Sequence, residues 1–255
     1  MERIEELYGQ LYQDMKPYFK KYSLSTLVPM EGSQYKNQTI KLMLIGRALN
    51  GWFMQDMDCA DTCSQYAKDA MDMLKNKGRF VWMQNKEENN NAIIRPFWNY
   101  TKDILKRLRN CDEIETDWYE TIVWANLFPI SFANKGNPSN EIKYAQFQAA
   151  KNLLNAQIEY FKPTHILIIS GWKDWFVLQR RKNCLEQDTP FLPNVYERNV
   201  NKEVVKGSGT YEITGSSTSE IIHIPVVISR RPEFFNKEIF VNDVVLAFQH
   251  PEGAK

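Results

Sequence analysis

Little in this chain points to a membrane, a metal or a global attraction for polyanions. No apolar run among its 255 residues approaches the roughly 18 that a membrane helix needs. The opening stretch MERIEELYGQLYQDMKPYFKKY alternates acidic, apolar and basic residues rather than presenting the apolar core of a signal peptide, so the expected setting is cytoplasmic. Charge of one sign is missing too: 32 Lys and Arg against 31 Asp and Glu leave a net charge of +1. Nucleic acid would therefore have to be held by a local patch. Cysteine is sparse, at 59, 63, 111 and 184, with one close pair and no second to match it. A metal site is not expected from that spacing, and buried free thiols are.

Other chemistries are missing as well. His165 falls at a strand start, while His223 and His250 have no acid or Cys partner at useful spacing, so no catalytic histidine is expected. There is no Ser nucleophile elbow. Gly46 and Gly51 have a suggestive spacing but lack the Lys-Ser/Thr that makes a phosphate loop. Nothing calls for a cofactor, and neither internal repeats nor low-complexity tracts occur.

What is present is a series of short apolar runs separated by helical patterns. Ile40 to Ile45 leads into Gly46, Thr121 to Asn126 reads TIVWAN, His165 to Gly171 reads HILIISG, and Ile221 to Ser229 reads IIHIPVVIS. Continuous apolar runs of this length suit strands covered on both faces of a parallel sheet. Helical spacing marks residues 2–21, about 62–76, Pro96 onward with Ile104, Leu105 and Leu108, 145–161, 172–181 and 237–249. Pro96 suits a first helical turn, where its missing N–H costs little. The polar run 86–91 and the stretch 127–139 read as loops. Strands alternating with helices predict an α/β fold, a three-layer αβα sandwich around a mostly parallel four-stranded sheet. The chain reads as one domain over 1–255, with 185–220 as a β-rich insertion.

Right-handed crossovers put the carboxyl ends of parallel strands on one edge, where ligands bind. That edge would collect Gly46–Trp52, Asn126–Pro138, Gly171–Trp172 and Ser229–Phe234. Each candidate also has a plain structural reading. Gly46, Asn50 and Gly51 can line a pocket with bare backbone, or supply a turn's positive φ. Asn126 can bond a planar ligand through its donor and acceptor, or cap a loop. Arg230 and Arg231 can hold phosphate or remain solvated. Phe97 and Trp98 can stack on a flat ring or fill the core.

Four segments in fixed order carry a family likeness. They are LIGRALNGW, RPFWNYTKDIL, TIVWANLFPISFANKGNPSNE running on to AAKNLLNAQIEYFKPTHILIISG, and IPVVISRRPEF. Together, over about 40–245, they resemble the uracil-DNA glycosylase superfamily, nearest its mismatch-specific, thymine-DNA glycosylase-like branch. The resemblance implies an enzyme that extrudes a nucleotide from DNA and cleaves its N-glycosidic bond, or a relative that binds a nucleobase or nucleotide without cleaving it. It implies that Gly46, Arg47, Phe97, Trp98 and Asn126 hold the base, Phe97 by stacking and Asn126 by reading the base edge. The water-activating position two places beyond Gly46 is occupied by Ala48, and Leu49 stands where Pro normally follows. With a two-residue insertion, Asn50-Gly51 becomes the counterpart and Asn50 orients the water. Arg231-Pro232-Glu233 replaces the His-Pro-Ser of many members. Ser229, Arg230 and Arg231 would then meet DNA phosphates.

Overall fold

The four apolar runs form strands, and helices form within the amphipathic stretches 2–21, 145–161 and 237–249 and from Pro96 onward. A computed structural model describes residues 1–48, 72, 80, 95–133, 136–178, 189–198, 204–214 and 221–252. The first half contains α1 (Glu2–Phe19), β1 (Leu24–Thr26), β2 (Met30–Glu31), β3 (Leu42–Ala48), α2 (Pro96–Leu108), β4 (Val123–Phe128) and β5 (Ile130–Phe132). After these come α3 (Asn140–Phe161), β6 (His165–Ile169), β7 (Val177–Leu178), β8 (Thr189–Pro190), β9 (Val195–Glu197), β10 (Val205–Thr214), β11 (Ile221–Ser229) and α4 (Lys237–Gln249). The class is mixed α/β. Apart from residue 72, the helix expected over 62–76 lies outside the described residues, as do the polar run 86–91 and Cys59, Cys63 and Cys184.

The chain divides into two compact units. One comprises Met1–Met30, Gly46–Gly78 and Trp124–Lys162. Here α1 packs along α3, burying Ile4, Tyr8, Leu11 and Met15 of the first helix. Ser139 caps α3 by accepting from the Ile142 N–H, and Lys162 ends it in the left-handed region at φ 48°. Pro163 follows, where continuation of a helix is blocked. The stretch 127–139 is less loop-like than its prolines suggest. Leu127 and Phe128 continue β4, and β5 pairs antiparallel with β1 in the register Leu24 with Phe132 and Thr26 with Ile130. Gln146 of α3 then binds both sides of Ile130, accepting from its N–H at 3.0 Å and donating to its carbonyl at 2.7 Å.

The other unit comprises Glu31–Ile45, Arg79–Val123 and Pro163–Lys255. Its sheet runs β3, β6, β11, β10, β9. Strands β3 and β11 pair parallel to β6, with Leu42 opposite His165 and Ser229 opposite Ile169. The 185–220 region adds antiparallel strands: β10 lies along β11 over its full length, and β9 covers Gly207 to Gly209. The sheet is therefore mixed: β3, β6 and β11 run parallel, and β10 and β9 add an antiparallel edge. Helices α2 and α4 pack together, and α4 also rests on β10 and β11. Lys237 joins the two helices, donating to Asn99 Oδ1 at 2.7 Å and pairing with Asp103 Oδ2 at 2.6 Å. Arg107 meets Asn242 on the same helix pair.

Over 172–178, the described part of the helix expected at 172–181, no helix forms. Gly171 and Asp174 take positive φ (80° and 67°), which breaks the helical path. Trp172 turns its ring onto Phe176, 5.1 Å between centroids, and onto the bare backbone of Gly207. Val177 and Leu178 then pair with Thr189 and Pro190 as β7 and β8. No helix among the described residues is long and apolar enough to cross a membrane.

Candidate functional site

Gly46 is where the local structure departs most usefully from expectation. Strand β3 does not stop at it: Gly46, Arg47 and Ala48 are all within the strand. Gly46 is absent from the positive-φ positions, so no turn explains it. Close approach does. A Cβ added at 46 would run into Asn126 Oδ1 and come within 3.6 Å of Trp124 Nε1. The carboxamide of Asn126 therefore lies on the bare Gly46 backbone, and any larger residue would displace it.

Asn126 is 7% exposed. Every residue of β4 is buried, so Asn126 is the one amide side chain in an otherwise apolar, covered strand. Burying an amide is costly unless its hydrogen-bonding capacity is used. Of the neighbouring expectations, Arg47 and Ala48 are half-buried at the end of β3, and Asn50 lies outside the described residues.

The remaining predicted residues belong to the second unit. Strands β6 and β11 end together: the N–H groups of Ser170 and Gly171 donate to the Ser229 carbonyl at 3.2 and 2.8 Å. Ser229 is fully buried, and among the described residues its hydroxyl has no hydrogen-bond partner. Arg230 follows at the surface, its backbone N–H bonded to Val204 O at 2.8 Å. Arg231 is exposed but spends charge locally, its Nε standing 3.2 Å from both carboxylate oxygens of Glu233.

Trp98 is buried at the start of α2. Its ring lies 6.1 Å from Phe80 and 6.3 Å from Trp118, an aromatic packing arrangement. Phe97, edge-on to Trp98 at 5.0 Å, is the half-buried member of the pair. Helix α2 also contacts the turn Pro232–Phe234, where Tyr100 donates to the Phe235 carbonyl at 3.1 Å.

Among the described residues the titratable groups add no further catalytic centre. His165 is half-buried between Thr164 and Phe248, and burial lowers its pKa, so it favours the neutral ring. His223 pairs across the hairpin with Glu212 at 3.5 Å and is exposed. Cys111 is free. Among the described residues no three His, Cys, Asp or Glu groups converge as metal ligands.

Gly46 and Asn126 are thus brought together, as are the ends of β6 and β11 that carry Ser229 and Arg230. Trp124 is the residue that reading from sequence passed over. The signal was there, because it stands two places before Asn126 on a strand and so leaves it on the same face. Against known proteins, no family model and no curated protein matches this sequence.

Proposed function

We propose that this chain is a divergent uracil-DNA glycosylase-like protein of the cytoplasm, a three-layer αβα sandwich around a mostly parallel four-stranded sheet. It takes a damaged or deaminated base of DNA at Gly46 and Asn126 and hydrolyses the N-glycosidic bond. The observation that supports this most is the buried Asn126 carboxamide resting on bare backbone at Gly46. An amide held there offers one donor and one acceptor side by side, the complement of a base edge. The glycine leaves room for that amide without a side chain in the way.

In the reaction, water adds its oxygen to the sugar C1′ as the C1′–N bond breaks. The bonding pair leaves on the base nitrogen, and the water's proton finally resides on the base. Asn50 is the residue assigned to orient the water. Hydrogen bonds from Asn126 stabilise charge as it develops on the departing base. Arg230 and Arg231 are the candidates for backbone phosphates.

Ala48 favours a second reading. Its methyl group stands at the position from which water would be activated and can neither accept a proton nor orient a water molecule. On that reading the protein binds a nucleobase, a nucleotide or another planar ligand without cleaving it.

Incubation with single- and double-stranded oligonucleotides bearing uracil, a G·T mismatch or hypoxanthine separates these readings. Abasic product that drops at least about 100-fold in Asn126→Ala supports the enzyme. Binding that Asn126→Ala weakens, with no product, supports the second reading. An absence of both product and salt-dependent binding removes nucleic acid as the partner.

A further inference from the structure

Helix α2 ends in a turn that brings the chain back beside the last helical residues. Arg109 caps the helix, and Asn110 follows in the left-handed region at φ 51°. The Asn110 N–H donates to the Arg107 carbonyl at 3.1 Å and the Cys111 N–H to the Lys106 carbonyl at 3.2 Å. Those helix-end carbonyls are thereby satisfied within the turn. The Cys111 thiol adds a longer contact to the Lys106 carbonyl, at 3.5 Å. Beside this turn lies a cavity of about 380 Å³ lined by Asp103, Lys106, Arg107, Asn110, Cys111 and Asp112. That volume falls within the range of small-molecule sites.

The lining carries two cations and two carboxylates, which differ in what they already hold. Asp103 pairs with Lys237 at 2.6 Å and Arg107 meets Asn242, so α4 holds one charge of each sign in place. Among the described residues, the side chains of Lys106, Asn110 and Asp112 make no hydrogen bond or ion pair, leaving one ammonium, one carboxamide and one carboxylate at the cavity. A ligand of a single charge would meet one attractive and one repulsive group there. A ligand with both charges satisfies the two together, and the carboxamide can donate to or accept from a third group.

From this lining we infer that the cavity binds a free amino acid, its carboxylate on Lys106 Nζ, its ammonium on the Asp112 carboxylate and a polar side chain on the Asn110 amide. Nothing in this assignment draws on the base site proposed at Gly46 and Asn126.

Titration of the full chain with each standard amino acid, followed by amide chemical shifts, is the test. At least one amino acid with a polar side chain should bind with a Kd below about 10 mM. Its N-acetyl form lacks the ammonium and its methyl ester lacks the carboxylate. Each should bind about three- to tenfold more weakly. Asp112→Asn should weaken the free amino acid by a similar factor and leave the N-acetyl form unchanged. Lys106→Gln should likewise weaken the free amino acid and leave the ester unchanged. Asp112 is exposed and Lys106 half-buried, so neither change disturbs the core. Failure of every amino acid to bind overturns the site. So does binding that the blocked forms match, or that the two variants leave unchanged or weaken equally in free and blocked forms.

Discussion

At the scale of single residues, the structure shows side chains serving as backbone partners. Gln146 is fully buried and bonds both the N–H and the carbonyl of Ile130, as a neighbouring strand would. Gln146→Met keeps the bulk and removes both bonds, leaving a buried donor and a buried acceptor unpaired. That should cost about 2–4 kcal/mol of stability, read as a lower urea midpoint with unchanged slope. A change below about 0.5 kcal/mol would mean that water reaches Ile130 and replaces the amide. Gln146 could be read from sequence as a polar position on a helix, but not as a clamp, because its partner lies 16 residues away in a stretch that reads as loop. Asn126 has the same character. Its polarity is visible in TIVWAN, while its seat on Gly46 depends on a strand far earlier in the chain.

At the scale of elements, glycines separate local preference from tertiary demand. Gly9 sits inside α1, and a Cβ there would meet nothing within 4 Å. Gly9→Ala should therefore stabilise the protein by roughly 0.5–1 kcal/mol, since alanine loses less backbone entropy in a helix. Gly209 in β10 is the opposite case, because a Cβ there would run into the backbone of Asn194 and Val195. Gly209→Ala should destabilise by about 1–3 kcal/mol, the strand having to shift to admit it. Thermal unfolding of the two variants should move in opposite directions, and movement in the same direction would refute this account of one of them. The failed helix at 172–181 follows the same logic. Its residues have a helical pattern, but Trp172 lies on Gly207, some 35 residues ahead in sequence, and tertiary packing overrides the local preference.

At the scale of the whole molecule, a net charge of +1 supplies no field to recruit DNA. On the proposed function, association with nucleic acid would depend on local exposed cations, and Arg231 is paired with Glu233. On the proposed function, Glu233→Ala should free this arginine for phosphate. DNA affinity should then rise, and the slope of log affinity against log salt should steepen by about one. An unchanged slope would exclude Arg231 from the phosphate contacts.

The α/β class, the three strands β3, β6 and β11, and the helices α2, α3 and α4 were legible from the sequence alone. Hydrophobic periodicity, the helix start at Pro96 and the stop at Pro163 are local properties, written within a dozen residues of where they act. Three features were decided only by tertiary structure: the antiparallel edge formed by β9 and β10, the turn at Trp172, and the reason for Gly46. Each depends on what a distant segment brings to the same place. In the sequence, Gly46 reads as bare backbone lining a pocket or as a turn's positive φ. Packing gives it a use that neither reading named, because it sets the Asn126 amide and the Trp124 indole against a strand whose backbone must stay bare to receive them.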